Sequence, residues 1–329
     1  MATLGTGNPT LADVAKRLDP QGKIDVLVEI LNQDNPVLED ATFIECNDGT
    51  SHKTTIRSGL PSVTWRMLNY GVQPSKSRTT QVSDTTGMLE AYAEVDKDLA
   101  DMNGNTAAFR MSEERSFIES MNQEVAATMF YGSTLTDPEK FHGLSIRYNA
   151  LSGADSTENV ISGGGSGADN TSIWLVVWGP QTCHMLYPKA SKAGLMMEDK
   201  GQVTLEDAAG GLYEGYRSHY QWKTGMTVRD WQYVVRICNI DVSDMATPAN
   251  AQALITYMIQ ATEKIPNLSR GRAVFYCNKT IRTALRLGIL DKISNNLVWE
   301  TVAGKRVMMF DEIPVKVCDA LLNTESVVS

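Results

Sequence analysis

From Cys46 to Thr86 the chain is long, polar and poor in residues that could bury one another, and this stretch limits every fold available to it. It carries a turn signal at Asn47-Asp48-Gly49, a break at Gly59-Leu60-Pro61 and another at Gly71. Its β-prone pieces, Lys53–Arg57 and Ser62–Leu68, are short. Such a segment does not pack alone, because too little apolar burial offsets the entropy lost on ordering it. Trp65, Met67, Leu68 and Tyr70 argue against simple disorder, since disordered segments are poor in aromatics. Both observations are met by an extended arm that finds its burial on another subunit. Two short helical patterns, Leu11–Leu18 and Ile24–Asn32, precede it, and nothing in residues 1–110 reads as a self-contained domain.

Composition excludes several classes of function. The chain has 329 residues, room for one large or two ordinary domains, and its 42% hydrophobic and 21% charged residues are ordinary for a soluble protein. A net charge of −9, from 39 acidic and 30 basic residues with no run of Lys or Arg, argues against a dedicated nucleic-acid binder. Apolar runs such as Ile173–Trp178 are too short to span a membrane, and Met1–Thr10 lacks the pattern of a secretory signal. The expected setting is a reducing cytoplasm. Cys46, Cys183, Cys238, Cys277 and Cys318 lie far apart without CxxC spacing and read as buried free thiols.

The remainder of the chain is patterned more strongly. Leu89, Ala91, Ala93 and Val95 alternate with polar residues as in a half-buried strand, and Asp96 is placed to cap a short helix through Met102. Ser112 reads as the N-cap of a long helix to Tyr131, with Phe117, Ile118, Met121, Val125 and Met129 on one stripe and Gly132 at its end. Ala150–Thr171 reads as a surface loop centred on Gly163-Gly164-Gly165-Ser166-Gly167, followed by a buried strand Ile173–Trp178. Lys189–Asp207 reads as a loop. Tyr213–Trp222 and Trp231–Ile240 read as strands, with Lys223-Thr224-Gly225 as a break between them. Thr247-Pro248 opens a helix stopped by Pro266, and Ala273–Cys277 leads to Asn278, which caps a helix ending near Gly288. Arg306–Phe310 and Ile313–Cys318 close the chain as strands around Asp311-Glu312.

No motif carries catalytic chemistry. The glycine run lacks the Lys-Ser or Lys-Thr of a phosphate loop, since Ala168-Asp169 follows Gly167. Cys183 and His184 are adjacent, so on a strand they point to opposite faces. His52, His142 and His219 repeat no metal-ligand spacing, and Asp96/Asp98 and Asp311/Glu312 read as caps or solvated faces. Trp174, Trp178, Trp222 and Trp231 read as core rather than a stacking platform. The expectation is therefore no enzyme, no catalytic residue, no cofactor and no metal. The candidate contact residues are Arg57, Arg66, Lys76 and Arg78, cations on an otherwise neutral segment of an acidic protein, together with Trp65. The bland reading of the cations is solubility. The functional one is pairing with carboxylates of an adjacent subunit.

Several ordered stretches carry a family likeness: Leu31-Asn32-Gln33-Asp34-Asn35 with Leu38-Glu39-Asp40, Leu60 through Val72, Asn170 through Trp174 with Trp178-Gly179, Tyr187-Pro188-Lys189, and Ile313-Pro314-Val315 with Asp319 through Leu322. With these the chain resembles the major capsid proteins of tailed bacteriophages, most of all the short-tailed group. The resemblance implies an α+β Hong Kong 97-like capsid fold. Within it, residues 1–45 would be an N-terminal arm and 46–86 an extended E-loop. Residues 87–140 would be a peripheral (P) domain with a long spine helix, 141–295 an axial (A) domain of α/β type, and 296–329 a return to the P domain. The implied function is a structural protein that self-assembles into the icosahedral head shell around the phage genome, located in the virion and assembled in the host cytoplasm. The implied partners are copies of itself in hexamers and pentamers, a separate scaffolding protein and a portal protein, with a cement or decoration protein as a further candidate. Double-stranded DNA would lie on the inner face without sequence-specific binding, and no membrane is involved. The rival readings are an encapsulin-like compartment shell, which shares the architecture, and a cytosolic α/β enzyme.

Overall fold

The computed structural model describes residues 9–10, 32–49, 51–102, 106–207, 209–246, 248–290, 297–302 and 305–329. The helical patterns Leu11–Leu18 and Ile24–Asn32 lie outside these residues, apart from Asn32, which is not helical. In chain order the elements are α1 (Val37–Asp40), β1 (Phe43–Glu45), β2 (Ser51–Gly59), β3 (Arg78–Asp96), α2 (Lys97–Asp101), α3 (Thr106–Tyr131), α4 (Leu144–Arg147), β4 (Val160–Ser162), β5 (Asn170–Trp178), β6 (Cys183–Tyr187), β7 (Leu195–Glu206), β8 (Leu212–Val228), β9 (Val234–Asp241), α5 (Pro248–Lys264), β10 (Arg272–Cys277), α6 (Lys279–Leu290), β11 (Leu297–Val302), β12 (Lys305–Phe310) and β13 (Ile313–Val317).

The chain forms two compact units. The smaller comprises Met1–Asp34, Met88–Ala126 and Gly194–Lys223. Here β3 alternates as its sequence demands, turning Leu89, Ala91, Ala93 and Val95 inward. Ala93 packs with Phe117 and Met121 of α3 and with Tyr220 of β8, and Val95 packs with Ala100 and Phe109. Asp96 caps α2 as expected, accepting from the Asp98 and Leu99 amides. The long helix begins at Thr106, so Ser112 lies within it rather than at its cap. Phe109 explains the earlier start, because the first turn buries that ring. Ile118 points outward and leaves the stripe. The stretch after Lys189 also departs from expectation, since β7 pairs with β8 from Leu195 opposite Trp222 to Glu206 opposite Leu212. Polar residues obscured this strand because most of β7 faces solvent, and its hydrogen bonds to β8 rather than its side chains hold it.

The larger unit comprises Asn35–Gly87, Ala127–Ala193 and Thr224–Ser329. At its centre β5 pairs antiparallel with β9 on one side and β10 on the other, and β10 continues parallel to β13. Every residue of β5 is buried, as a central strand covered on both faces requires. One face carries Ile173, Leu175 and Val177 against Leu254, Ile255 and Met258 of α5 and Ile281, Ala284 and Leu285 of α6. Asn278 caps α6 by accepting from the Ile281 amide at 2.9 Å. The other face carries Trp174 and Trp178, with Phe130, Tyr148 and Tyr276 around them.

Three expectations need correction in this unit. The glycine run is not a free surface loop. Val160 and Ile161 are buried in β4, parallel to β9, and the Gly163 and Gly165 amides extend that pairing by donating to the Cys238 and Asn239 carbonyls. A Cβ on Gly165 would stand 2.8 Å from the Asn239 carbonyl oxygen, so this close approach requires glycine. Lys223-Thr224-Gly225 does not break β8, because Gly225 lets the strand pass 2.8 Å (from a would-be Cβ) beneath the Thr85 carbonyl. Lastly, β11 precedes β12 as a third closing strand, paired from Leu297 opposite Phe310 to Val302 opposite Lys305.

Residues 35–45 are tied to the larger unit. Asp40 is fully buried and accepts from Tyr276 Oη at 2.9 Å, Lys316 Nζ at 2.6 Å and Arg272 at 2.7 Å. Beyond it, β1 runs parallel to β6.

Candidate functional site

The β2–β3 hairpin inverts the usual distribution of polar and apolar surface. Its root is polar and buried, and its tip is apolar and exposed. The ladder runs from Ser51 opposite Thr85 to Gly59 opposite Arg78. Within β2 the period-two rule sends His52 and Thr54 inward, while Lys53, Thr55 and Arg57 face water. Asn47 organises the turn before the ladder: its side chain accepts from the Lys53 amide at 2.9 Å, and its amide donates to His52 Nδ1 at 3.3 Å.

Charge anchors the root. Asp84, opposite His52 and almost fully buried, accepts from Arg147 at 2.7 Å, and the same guanidinium reaches the Met226 carbonyl at 3.3 Å. His184 on β6 is fully buried opposite Thr227 of β8, and its ring lies edge-on to His52 with centroids 6.0 Å apart. Burial, reinforced by the Arg229 charge, lowers the His52 pKa. The same causes, with His52 itself, bring His184 down to about 4. Both imidazoles are therefore neutral at pH 7.

Residues 60–77 beyond the ladder have no regular structure. Ser75 Oγ donates to the Ser62 carbonyl at 2.7 Å and closes the loop on itself. A turn from Met67 to Tyr70 puts Asn69 at φ 68°. Ser62–Leu68 is thus not the strand its composition suggested, because no strand pairs with it among the described residues. Its apolar side chains point into water: Trp65 is 101% exposed, Val63 91%, Leu68 85% and Leu60 82%. A patch of this kind marks a surface built to be covered.

The sequence-predicted contact residues all sit on this exposed part. Arg57 and Arg78 end the ladder, Trp65 and Arg66 lie at the tip, and Lys76 is on the returning limb. None of the four cations has an ion-pair partner among the described residues. Sequence reasoning missed the root, where His52 had read as a scattered histidine and His184 only as the strand neighbour of Cys183. The one available signal was the alternation of His52 and Thr54 with Lys53 and Thr55. A buried clasp went unread as well: Glu325 accepts from Arg236 at 2.8 Å, from Tyr131 Oη at 2.6 Å and from Ser172 Oγ, holding the C-terminal segment against β5 and β9.

Elsewhere the described residues offer little chemistry. No group of three or more His, Cys, Asp or Glu among them could hold a metal ion. A shallow cavity of about 430 Å³ is lined by Val242, Met245, Thr280, Thr283, Ala284 and Leu287, with Lys279 at its edge already paired to Asp319 at 2.8 Å. No described helix is long and apolar enough to cross a membrane.

Comparison with known proteins agrees with this emphasis on surface over chemistry. The family described as Major capsid protein GP7 matches residues 19–329. The structure of bacteriophage Epsilon15 is similar over 100% of this chain and 99% of the matched one, with 36% identity and a TM-score of 0.78. The capsid of a native GTA particle matches at 9% identity and a TM-score of 0.47, covering 70% of this chain and 98% of the other. The bacteriophage JBD30 capsid matches at 9% identity and a TM-score of 0.47, over 89% and 93%. No curated protein matches the chain.

Proposed function

This chain belongs to the Major capsid protein GP7 family, and from that premise we propose how it builds its shell. The protein is a structural major capsid protein with the Hong Kong 97-like fold, it forms the phage head shell of the virion, and it is not an enzyme. Copies of the chain are its main partners. In our reading β2–β3 with its tip is the E-loop, spanning 46–86, and the tip docks on an adjacent subunit. Residues 1–45 act as the arm, 87–140 and 296–329 as the P domain, and 141–295 as the A domain. Trp65 is the apolar anchor, and Arg57, Arg66, Lys76 and Arg78 fix the register by pairing with a neighbour's carboxylates.

The single observation that carries this reading is the exposed apolar tip on an anchored hairpin. A large aromatic standing wholly in water is unfavourable in the free subunit, at roughly 25 cal/mol per Å² of apolar surface, and favourable once a neighbour covers it. An anchored root lets that contact act on a defined geometry. We further assign the hexamers and pentamers of a closed shell, a separate scaffolding protein and a portal as partners, with a cement or decoration protein as a further candidate and double-stranded DNA inside. The net charge of −9 suits a wall that must not adhere to packaged DNA.

Arg57→Glu, Arg66→Glu and Arg78→Glu combined test the register. Each exposed pair is worth only ~0.2–1 kcal/mol, so single changes should be nearly silent. The contact recurs at every subunit, so the triple variant should fold but fail to form normal shells by size-exclusion chromatography and electron microscopy. Shells of normal size and salt tolerance would refute the assignment.

A further inference from the structure

The hairpin root contains more polar groups than its hydrogen bonds satisfy. Asp84 Oδ2, Arg147 Nε, both ring nitrogens of His184, Thr224 Oγ1 and Thr227 Oγ1 are all buried without a partner among the described residues. Buried polar atoms are normally paired, and such a concentration around one feature calls for a reason. The residues come from separate elements: His52 from β2, Asp84 from β3, Arg147 from α4, His184 from β6, and Thr224 and Thr227 from β8. Together they join the start of the hairpin to the strands beneath it.

We propose that His52 and His184 form a proton-operated latch that holds the hairpin root against β6 and β8 when both rings are neutral, and loosens it when they take up a proton. The argument is geometric first. The two rings lie 6.0 Å apart, edge to face, and both are buried. One proton on either ring places a charge beside Arg229. Asp84 is the carboxylate available from β3, and Arg147 already occupies its Oδ1. His142, on the loop before α4, lies within the influence of Arg147 and Asp84 and adds a third imidazole. Asp48 and Lys53 beside the entry turn are exposed and pair with each other at 3.9 Å. Asp84 favours a proton on either ring, but its charge is already shared with Arg147, and burial together with Arg229 outweighs its pull.

The sign follows from linkage. Closed, the root keeps His184 below its ordinary value of 6.5, at about 4, so the closed form binds fewer protons than the open one. Closure is fully favoured above 6.5 and is lost as pH falls towards 4. His52 shifts in the same direction and adds to the effect. The latch rests on the reading of β2–β3 as the reaching arm and supplies its regulation, since a loosened root leaves the tip without a fixed geometry.

Amide hydrogen exchange of the full-length, unassembled protein tests this, corrected for the intrinsic pH dependence of exchange. Exchange in Ser51–Ile56 and Thr80–Thr85 should rise by about tenfold or more between pH 7 and pH 4.5, while β5 and β10 stay protected. His184→Gln and His52→Gln, which cannot take up the proton, should flatten that rise. A rise of the same size in both variants, or no rise in the parent, overturns the proposal. Should His184→Gln fail to fold, His52→Gln and an imidazole NMR titration of the parent decide instead, and a buried histidine titrating at its ordinary 6.5 refutes the latch. No neighbouring subunit is needed for this readout. A failed latch is thereby separable from a failed tip contact, which the charge-reversal shells report.

Discussion

Replacing Glu325 with alanine should destabilise the subunit by about 3–5 kcal/mol, far more than an exposed pair would cost. The magnitude comes from what stays behind. Arg236 and Glu325 are only 5% and 4% exposed, and their 2.8 Å contact neutralises both charges. Without the carboxylate, Arg236 keeps the Tyr148 carbonyl at 2.9 Å, Ser172 Oγ at 3.1 Å and the face of Trp174 at 5.1 Å, all uncharged. Tyr131 loses its acceptor too, and burial, the largest cause of its raised pKa, still opposes ionisation of its hydroxyl once the carboxylate is gone. Arg236→Met with Glu325→Leu removes both charges together and should recover most of the loss, since a buried pair contributes little beyond a well-packed apolar replacement. Urea unfolding of the unassembled subunit measures both, with the slope m checking that the unfolded state is unchanged. The reasoning is refuted if Glu325→Ala lies within about 1 kcal/mol of the parent, or if the double variant is as unstable as the single one.

Two other substitutions probe the scaffold that presents the hairpin. Met121→Pro should cost about 3 kcal/mol or more by removing a hydrogen bond inside α3 and clashing with the preceding turn, and a parental melting temperature would contradict it. Gly165→Ala should cost about 1–3 kcal/mol, because its Cβ would sit 2.8 Å from the Asn239 carbonyl oxygen, which is backbone; an unchanged urea midpoint would show that the glycine run is the free loop it resembles in sequence.

Where burial and periodicity coincide, the fold was legible. Leu89 to Val95 alternates cleanly because a helix covers one face of that strand, and Ile173 to Trp178 is uniformly apolar because helices and aromatics cover both. The strand β7 was not legible, since its residues Glu198, Asp199 and Lys200 face solvent and its pairing is fixed by the backbone of β8. The glycine run was misread for a related reason. A stretch that lies close against a neighbouring strand needs small residues, and small residues also compose surface loops. Asn47-Asp48-Gly49 gave the hairpin's entry, whereas Asp84 and Arg147, separated by 63 positions, form a contact that no local pattern announces.

The candidate surface was legible for a different reason: it breaks the ordinary rule. Inward positions of β2 hold His52 and Thr54, while Val63, Trp65 and Leu68 stand in water, so the hairpin would be poorly designed if water were its final environment. It becomes consistent once a second copy of the chain covers the tip. On the proposed docking, the free subunit carries the exposed aromatic as a cost that assembly removes, while the polar root fixes where the hairpin starts. A root held by Asp84–Arg147 and two neutral histidines has directional requirements that the tip cannot meet. On that reading, the base holds the hairpin in place and its apolar end is left for a neighbour.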